Sequence, residues 1–161
     1  MPLSPAERAG LIERYANGPA VLQAALNQIP KEAMQWRPEP EKWSAHEVIV
    51  HCADSETNAH GRIRYVLAEQ QPVIQGYDQD RWAATLDYHS LPLAPALATV
   101  AAVRANTAAL LRRLTDADWA RVGTHTESGR FGAEDWLKLY AEHLEIHARQ
   151  LERNLAAWSK R

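Results

Sequence analysis

The sequence predicts an all-α protein, a four-helix bundle with long connectors. Four segments repeat apolar residues at the spacing of an amphipathic helix, and two of them begin with a serine capping motif. One short and two longer connections join the four segments. The chain of 161 residues is long enough to bury a core and shows no internal repeat, so we expect a single domain over residues 1–161.

The first helix is expected to begin at the capping motif Ser4-Pro5-Ala6-Glu7, which places proline at the first helical position. Gly18-Pro19 interrupts its apolar pattern, so the helix should bend there or divide into two. Ile29-Pro30 ends it. A proline-rich connector follows over residues 31–43, and its two tryptophans should pack it against the bundle.

A second capping motif, Ser44-Ala45-His46-Glu47, begins a helix that should end between residues 68 and 70. Residues 71–92 are expected to be irregular apart from a short helix over 79–85. A connection of this length in a compact domain is more often functional than idle.

The third helix is alanine- and leucine-rich and should span residues 93–114. A capped turn of helix carries Trp119, and residues 121–131 should form a loop or a small hairpin. The fourth long helix should run from Ala133 to Trp158.

Composition gives no reason to expect a nucleic acid or a membrane as a partner. The formal net charge is −2, with 46% hydrophobic and 24% charged residues. Cys52 is the one cysteine, so an internal disulfide is excluded and a reducing compartment is indicated. The N-terminal residues lack the apolar stretch of a signal peptide, and we expect no run long enough to cross a bilayer. The expected location is the cytoplasm.

His143 and His147 lie one turn apart on the predicted last helix, about 40° apart around the axis and about 6 Å along it. Tyr140 and Gln150 fall on the same apolar stripe. Two imidazoles placed this way suit one metal site. Alternatively, each histidine hydrogen-bonds a separate partner in a polar core layer, and the spacing alone does not decide between the two.

His51, on the second helix, is the candidate third ligand, and Asp54 follows it by one turn. A carboxylate there could hold the second nitrogen of the imidazole. Three histidines with positions left open for water would form a catalytic rather than a structural site. The alternative is a partly exposed packing histidine beside a solvated carboxylate.

Four motifs occur in order along nearly the whole chain. They are Trp43-Ser44-x-x-Glu47-x-x-x-His51-x-x-Asp54, Tyr77-Asp78-x-Asp80-x-Trp82, His125-x-Glu127-x-Gly129 and His143-x-x-x-His147-x-x-Gln150. Together they resemble the DinB/YfiT-like superfamily. The resemblance implies a four-helix bundle of that type, a homodimer, and a divalent metal ion held by His51, His143 and His147, with nickel or zinc as the usual occupant.

For the YfiT-like branch, the resemblance implies a metal-dependent hydrolase that acts on a small molecule. Glu47, Asp54 and Glu127 are the candidate proton acceptors. Other branches are transferases or isomerases that use a low-molecular-weight thiol, with the thiolate on the metal. A third possibility is a dimeric stress-response or binding bundle whose histidines are structural. The candidate substrate-pocket residues are Asp80, Trp82, His125, Tyr140 and Gln150.

Overall fold

The computed structural model describes residues 2–161, and its four long helices pack as a bundle. These helices are α1 (Pro5–Leu26), α2 (Ala45–Ala68), α4 (Leu93–Leu111) and α6 (Ala133–Trp158). Both α1 and α2 pack against α4 and against α6. Helices α1 and α2 therefore lie diagonally across the bundle, although they are neighbours in the chain. The predicted four-helix bundle is confirmed.

The connectors carry short elements and a small sheet. The short elements are β1 (Val73–Ile74), α3 (Gln79–Thr85), α5 (Asp116–Trp119), β2 (Val122–His125), β3 (Gly129–Gly132) and the 3-10 turns Lys31–Ala33 and Tyr88–Ser90. Strands β2 and β3 form an antiparallel hairpin, and β1 pairs with β2 in parallel, so the sheet order is β1-β2-β3. The hairpin and α3 were predicted, but β1 was not, because a strand of two residues is too short to show a period.

Helix α1 continues through Gly18-Pro19 and does not divide there. Proline has no N–H, so it leaves the carbonyl of the residue four positions earlier without its helical partner. That residue is Tyr15, and its carbonyl accepts a hydrogen bond of 2.6 Å from Arg104 Nη1. A Cβ atom on residue 18 would lie 2.6 Å from the same nitrogen. The pair Gly18-Pro19 therefore makes room and provides an acceptor for a side chain of α4.

Helix α4 ends at Leu111, about one turn before the predicted end. Arg104 is fully buried in it, whereas the apolar residues Val103 and Leu110 of the same helix are half-buried. Contrary to expectation, α4 is long and apolar enough to cross a membrane by length and composition, the one such helix among residues 2–161. Core helices of soluble proteins pass the same test.

A polar layer separates two apolar clusters of the core. One cluster includes Leu22, Ile49 and Leu144, and the other includes Tyr15, Ile63, Leu111 and Trp136. Between the two clusters, each long helix contributes a position that is not aliphatic. These positions are Gly18 in α1, Glu56 in α2, Arg104 in α4 and His143 in α6.

Candidate metal centre

Three histidines from α2 and α6 come together at one side of the polar layer. His51, His143 and His147 each present a ring nitrogen, and these nitrogens lie within 4.8 Å of one another. The Nε2 atoms of His143 and His147 are 3.2 Å apart. The His51 ring centroid lies 4.8 Å from that of His147 and 5.8 Å from that of His143. The structure thus brings together the three residues that were predicted as ligands.

Hydrogen bonds fix the orientation of the two histidines of α6. Nδ1 of His143 lies 2.7 Å from Oε1 of Glu56, and Nδ1 of His147 lies 2.9 Å from Oε1 of Gln150. Carboxylate and amide oxygens only accept, so each Nδ1 carries the proton. With both rings neutral, as metal binding requires, the two Nε2 lone pairs lie 3.2 Å apart and can bind one cation between them, so this geometry fits a metal ion.

Two histidines of the cluster, His51 and His147, have lowered pKa values that favour the neutral form. Burial and the neighbouring imidazoles lower the pKa of His51 to about 2 and that of His147 to about 4. The buried Nδ1 of His51 has no hydrogen-bond partner among the described residues, and the ring packs 4.6 Å from that of Trp43. A metal ligand must be a neutral imidazole, and three of them suit nickel, zinc or a similar divalent ion.

Glu56 holds His143 from behind and is itself held by Arg104. Both side chains are fully buried. Arg104 donates to Oε2 through Nε at 2.9 Å and to Oε1 through Nη2 at 2.6 Å. It also donates to the carbonyls of Tyr15 and Tyr140. Burial raises the pKa of the Glu56 carboxyl, but the hydrogen bond from His143 and the Arg104 charge outweigh this and lower it.

Sequence reasoning missed Glu56 and Arg104. The candidates on α2 were Glu47, His51 and Asp54, whereas Glu56 lies on the apolar arc of that helix with Cys52, Ala59 and Ile63. A glutamate among those residues is the signal that was available, because a charge on a buried face needs a partner.

The histidines open into a cavity of about 320 Å³ between α2, α6 and the hairpin. A second cavity of about 540 Å³ adjoins it, and Arg62 lines both. Besides the three histidines and Arg62, the lining residues of the first cavity are Ser55, Tyr77, Gln79, His125, Glu127, Leu139 and Tyr140.

The three candidate proton acceptors occupy different surroundings. Glu127 lines the histidine cavity, and its carboxylate packs against Gly76. Glu47 accepts hydrogen bonds from Arg37 and, at 2.9 Å, from the backbone of Ser44, so it caps α2. The carboxylate of Asp54 accepts a hydrogen bond of 2.5 Å from the hydroxyl of Tyr88. Of the three, only Glu127 lies beside the histidines.

The candidate substrate-pocket residues divide in the same way. His125 and Tyr140 line the histidine cavity. Trp82 lines the adjoining cavity. Gln150 bonds to His147 and does not line the cavity, and Asp80 is exposed on α3.

Comparison with known proteins supports this description. A family model described as the DinB superfamily matches residues 14–151. A protein of Oceanobacillus iheyensis is 36% identical over 105 residues, which cover 65% of this chain and 60% of that protein. A protein of Geobacillus thermodenitrificans is 32% identical over 104 residues, covering 65% and 58%. Both relatives carry the provisional name of metal-dependent hydrolase. The chain spans less than two thirds of the length of either relative.

The fold agrees with a solved relative as well. The structure of YfiT from Bacillus subtilis matches with a TM-score of 0.86 and 26% identity, covering 96% of this chain and 90% of that chain. That protein is described as a four-helix bundle of unusual topology and, again provisionally, as a metal-dependent hydrolase. Because the residues matched by the family model include all three clustered histidines, the chain belongs to the DinB superfamily.

Proposed function

We propose that this protein is a hydrolase that depends on a divalent metal ion, with His51, His143 and His147 as the ligands. The observation that carries the proposal is the set of three imidazole nitrogens within 4.8 Å of one another beside an open cavity. The provisional names of the relatives support it. When bound, a divalent ion held by histidines lowers the pKa of a water molecule toward neutrality and so supplies a nucleophile.

The residues around the cavity have separate roles in this proposal. Glu127 accepts the proton, because its carboxylate lines the cavity and makes no hydrogen bond within the described chain. Burial raises the pKa of Tyr77 and of Tyr140, so both hydroxyls stay protonated and donate hydrogen bonds to substrate. Glu56 and Gln150 keep the ligand nitrogens aimed at one point.

One observation favours a thiol-dependent transferase as the second candidate. The adjoining cavity of about 540 Å³ offers space for a second molecule next to the histidines. In that case a low-molecular-weight thiol would occupy it, with its sulfur at the histidine site. Nickel and zinc both suit the ligand set in either chemistry.

Metal analysis of the protein purified without a histidine tag tests the proposal. We expect one metal ion per chain, and loss of that ion when all three candidate ligands are replaced by alanine. The matched control replaces His46, His60 and His89 by alanine, since these three lie outside the cluster, and it should keep the metal. A stoichiometric metal ion in the ligand variant would show the assignment to be wrong.

The two chemistries are then separated with the cobalt-substituted protein. Glutathione, mycothiol and bacillithiol are titrated while the visible absorption of cobalt is followed. A new sulfur-to-cobalt band at low thiol concentration favours the transferase, and an unchanged spectrum favours the hydrolase.

A further inference from the structure

We propose that Arg62 binds an oxyanion of the substrate, a carboxylate or a phosphate group, beside the histidine site. The inference rests on the proposed function, because it takes the cavity next to the histidines as the place where substrate binds. It goes further by naming the chemical class of that substrate.

The charge of Arg62 has no counter-ion among residues 2–161. Its Nη1 donates to the hydroxyl of Tyr140 at 3.2 Å and its Nη2 donates to the carbonyl of Gln75 at 2.7 Å, and both acceptors are neutral. Its Nε is buried without a hydrogen-bond partner, and no carboxylate of residues 2–161 forms an ion pair with Arg62. Arg104, the other arginine that reaches Tyr140, is neutralised by Glu56.

The guanidinium is also held in place. The two hydrogen bonds fix it from either side, and its Cζ lies 5.6 Å from the centre of the Tyr77 ring. A guanidinium has five N–H donors in a planar fork that matches the oxygens of a carboxylate or phosphate. Two of the five are used here, so donors remain for a ligand.

The position of Arg62 connects this charge to the reaction site. It is the one arginine or lysine among the described residues that line the histidine cavity, and it lines the adjoining cavity as well. The hydroxyl of Tyr140 accepts from Arg62, which leaves its own proton to donate. A substrate whose reacting atom lies at the histidines can therefore extend toward Arg62 with an anionic group and bury that group among hydrogen-bond donors.

Glu127 lines the same cavity and provides the competing explanation. Arg62 would then be the internal counter-charge of that glutamate instead of a ligand site. No ion pair joins the two side chains in the structure, where the Glu127 carboxylate packs against Gly76. We therefore assign the free donors of Arg62 to substrate.

Thiol probes that differ only in their far end test the assignment on the cobalt-loaded protein. The probes are mercaptopropionate, mercaptopropylphosphonate and the neutral mercaptopropanol, together with the three hexyl homologues. The sulfur binds cobalt and gives an absorption band, so a dissociation constant is obtained for each probe. The variants are Arg62→Gln and Arg62→Lys. The matched control is Arg64→Gln, because Arg64 likewise forms no ion pair with a described carboxylate, but its hydrogen bonds go to side chains of α4.

In the wild type, at least one oxyanion probe should bind about tenfold more tightly than the alcohol of the same length, the factor given by one charge-assisted hydrogen bond at a partly exposed site. Arg62→Gln should remove this preference, Arg62→Lys should keep part of it, and Arg64→Gln should leave it unchanged. The arm that binds more tightly identifies the carboxylate or the phosphate. Equal binding of all probes to the wild type, or a preference that survives in Arg62→Gln, would overturn the assignment.

Failure of the proposed function is recognised separately, because the cobalt absorption is then absent before any probe is added. In that case the chelator-treated protein is titrated with propionate, propylphosphonate and propanol, and the Nε–H resonance of Arg62 is followed by NMR. A shift with either oxyanion but not with propanol supports the assignment. No shift with any of the three overturns it.

Discussion

Replacement of Glu56 by glutamine should weaken metal binding and destabilise the fold, because one buried carboxylate serves both His143 and Arg104. Oε1 lies 2.7 Å from Nδ1 of His143 and 2.6 Å from Nη2 of Arg104, and Oε2 lies 2.9 Å from Nε of Arg104. Glutamine keeps the shape but has one acceptor oxygen and an NH₂ group. At least one of the three donors would then face another donor, and Arg104 would be buried without a counter-ion.

The size of the effect follows from these contacts. Breaking one partner of a buried ion pair costs about 3–5 kcal/mol. We expect the lower end, about 3 kcal/mol, because Arg104 keeps its hydrogen bonds to the carbonyls of Tyr15 and Tyr140. For a chain of this length the melting temperature should fall by about 6–12 °C. Loss of the group that orients a ligand histidine should weaken metal affinity by about 10- to 100-fold.

The assays are urea unfolding of the metal-free protein and chelator competition for the metal-loaded protein. Glu145→Gln is the matched control, because Glu145 pairs with Arg14 outside the polar layer, where the pair is partly exposed. This control should lose less than about 1 kcal/mol and keep its metal affinity. If Glu56→Gln behaved like the control in both assays, the reasoning about the buried carboxylate would be refuted.

A double variant separates the two effects of Glu56. Glu56→Gln with Arg104→Met removes both charges, and removal of a whole buried pair is often neutral or stabilising. The stability should therefore return toward that of the wild type, while the metal affinity stays low because a neutral amide oxygen makes the His143 imidazole a weaker ligand than a carboxylate does. Recovery of the affinity together with the stability would mean that Glu56 acts on the fold and not on His143.

Two further predictions concern α1 and the start of α2. Gly18→Ala places a methyl group 2.6 Å from Arg104 Nη1 and should lower the free energy of unfolding in urea by about 1–3 kcal/mol. Gly10→Ala, in the same helix but with open space around it, should raise the free energy of unfolding by about 0.4–1 kcal/mol. Equal effects of the two variants would contradict the packing argument. Burial raises the pKa of Glu47, but hydrogen bonds from Arg37 and the backbone outweigh this and lower it. The ionised Glu47 therefore stabilises the fold above its unfolded pKa, about 4.3, and this contribution is lost as the pH falls through the folded pKa. Over that acidic range, the free energy of unfolding should fall less for Glu47→Gln than for the wild type. Parallel curves of unfolding free energy against pH would refute this.

The features that could be predicted from the sequence are those set by residues close together in the chain. The capping motifs at Ser4 and Ser44 depend on a contact three residues away, and both are present in the structure. The bounds of α3 and α6 also agree with the prediction. The histidine cluster was predictable because helical spacing fixes His143 relative to His147, His51 was the candidate third ligand on the second helix, and the family resemblance implied all three.

The features that could not be predicted depend on which side chains from different helices face each other across the core. Periodicity gives the face of a helix but not its partner across the core. Asp54 was expected near His51, but its carboxylate bonds to Tyr88, 34 residues along the chain. Glu56 bonds to Arg104, 48 residues away, and neither was considered for the site. The metal, the homodimer and the location stay predictions.

The polar layer places two charged side chains, Glu56 and Arg104, inside the core. A buried ion pair gives little net stability compared with apolar packing, so stability alone does not explain why this pair is present. Their contact with His143 supplies it, because the pair fixes a ligand nitrogen against main-chain carbonyls of α1 and α6. The Gly18-Pro19 sequence contributes to the same arrangement, since it leaves space in α1 for the Arg104 side chain and leaves the Tyr15 carbonyl free to accept its hydrogen bond. We infer that the geometry of the metal centre is set by all four helices, including α1 and α4, which carry no ligand.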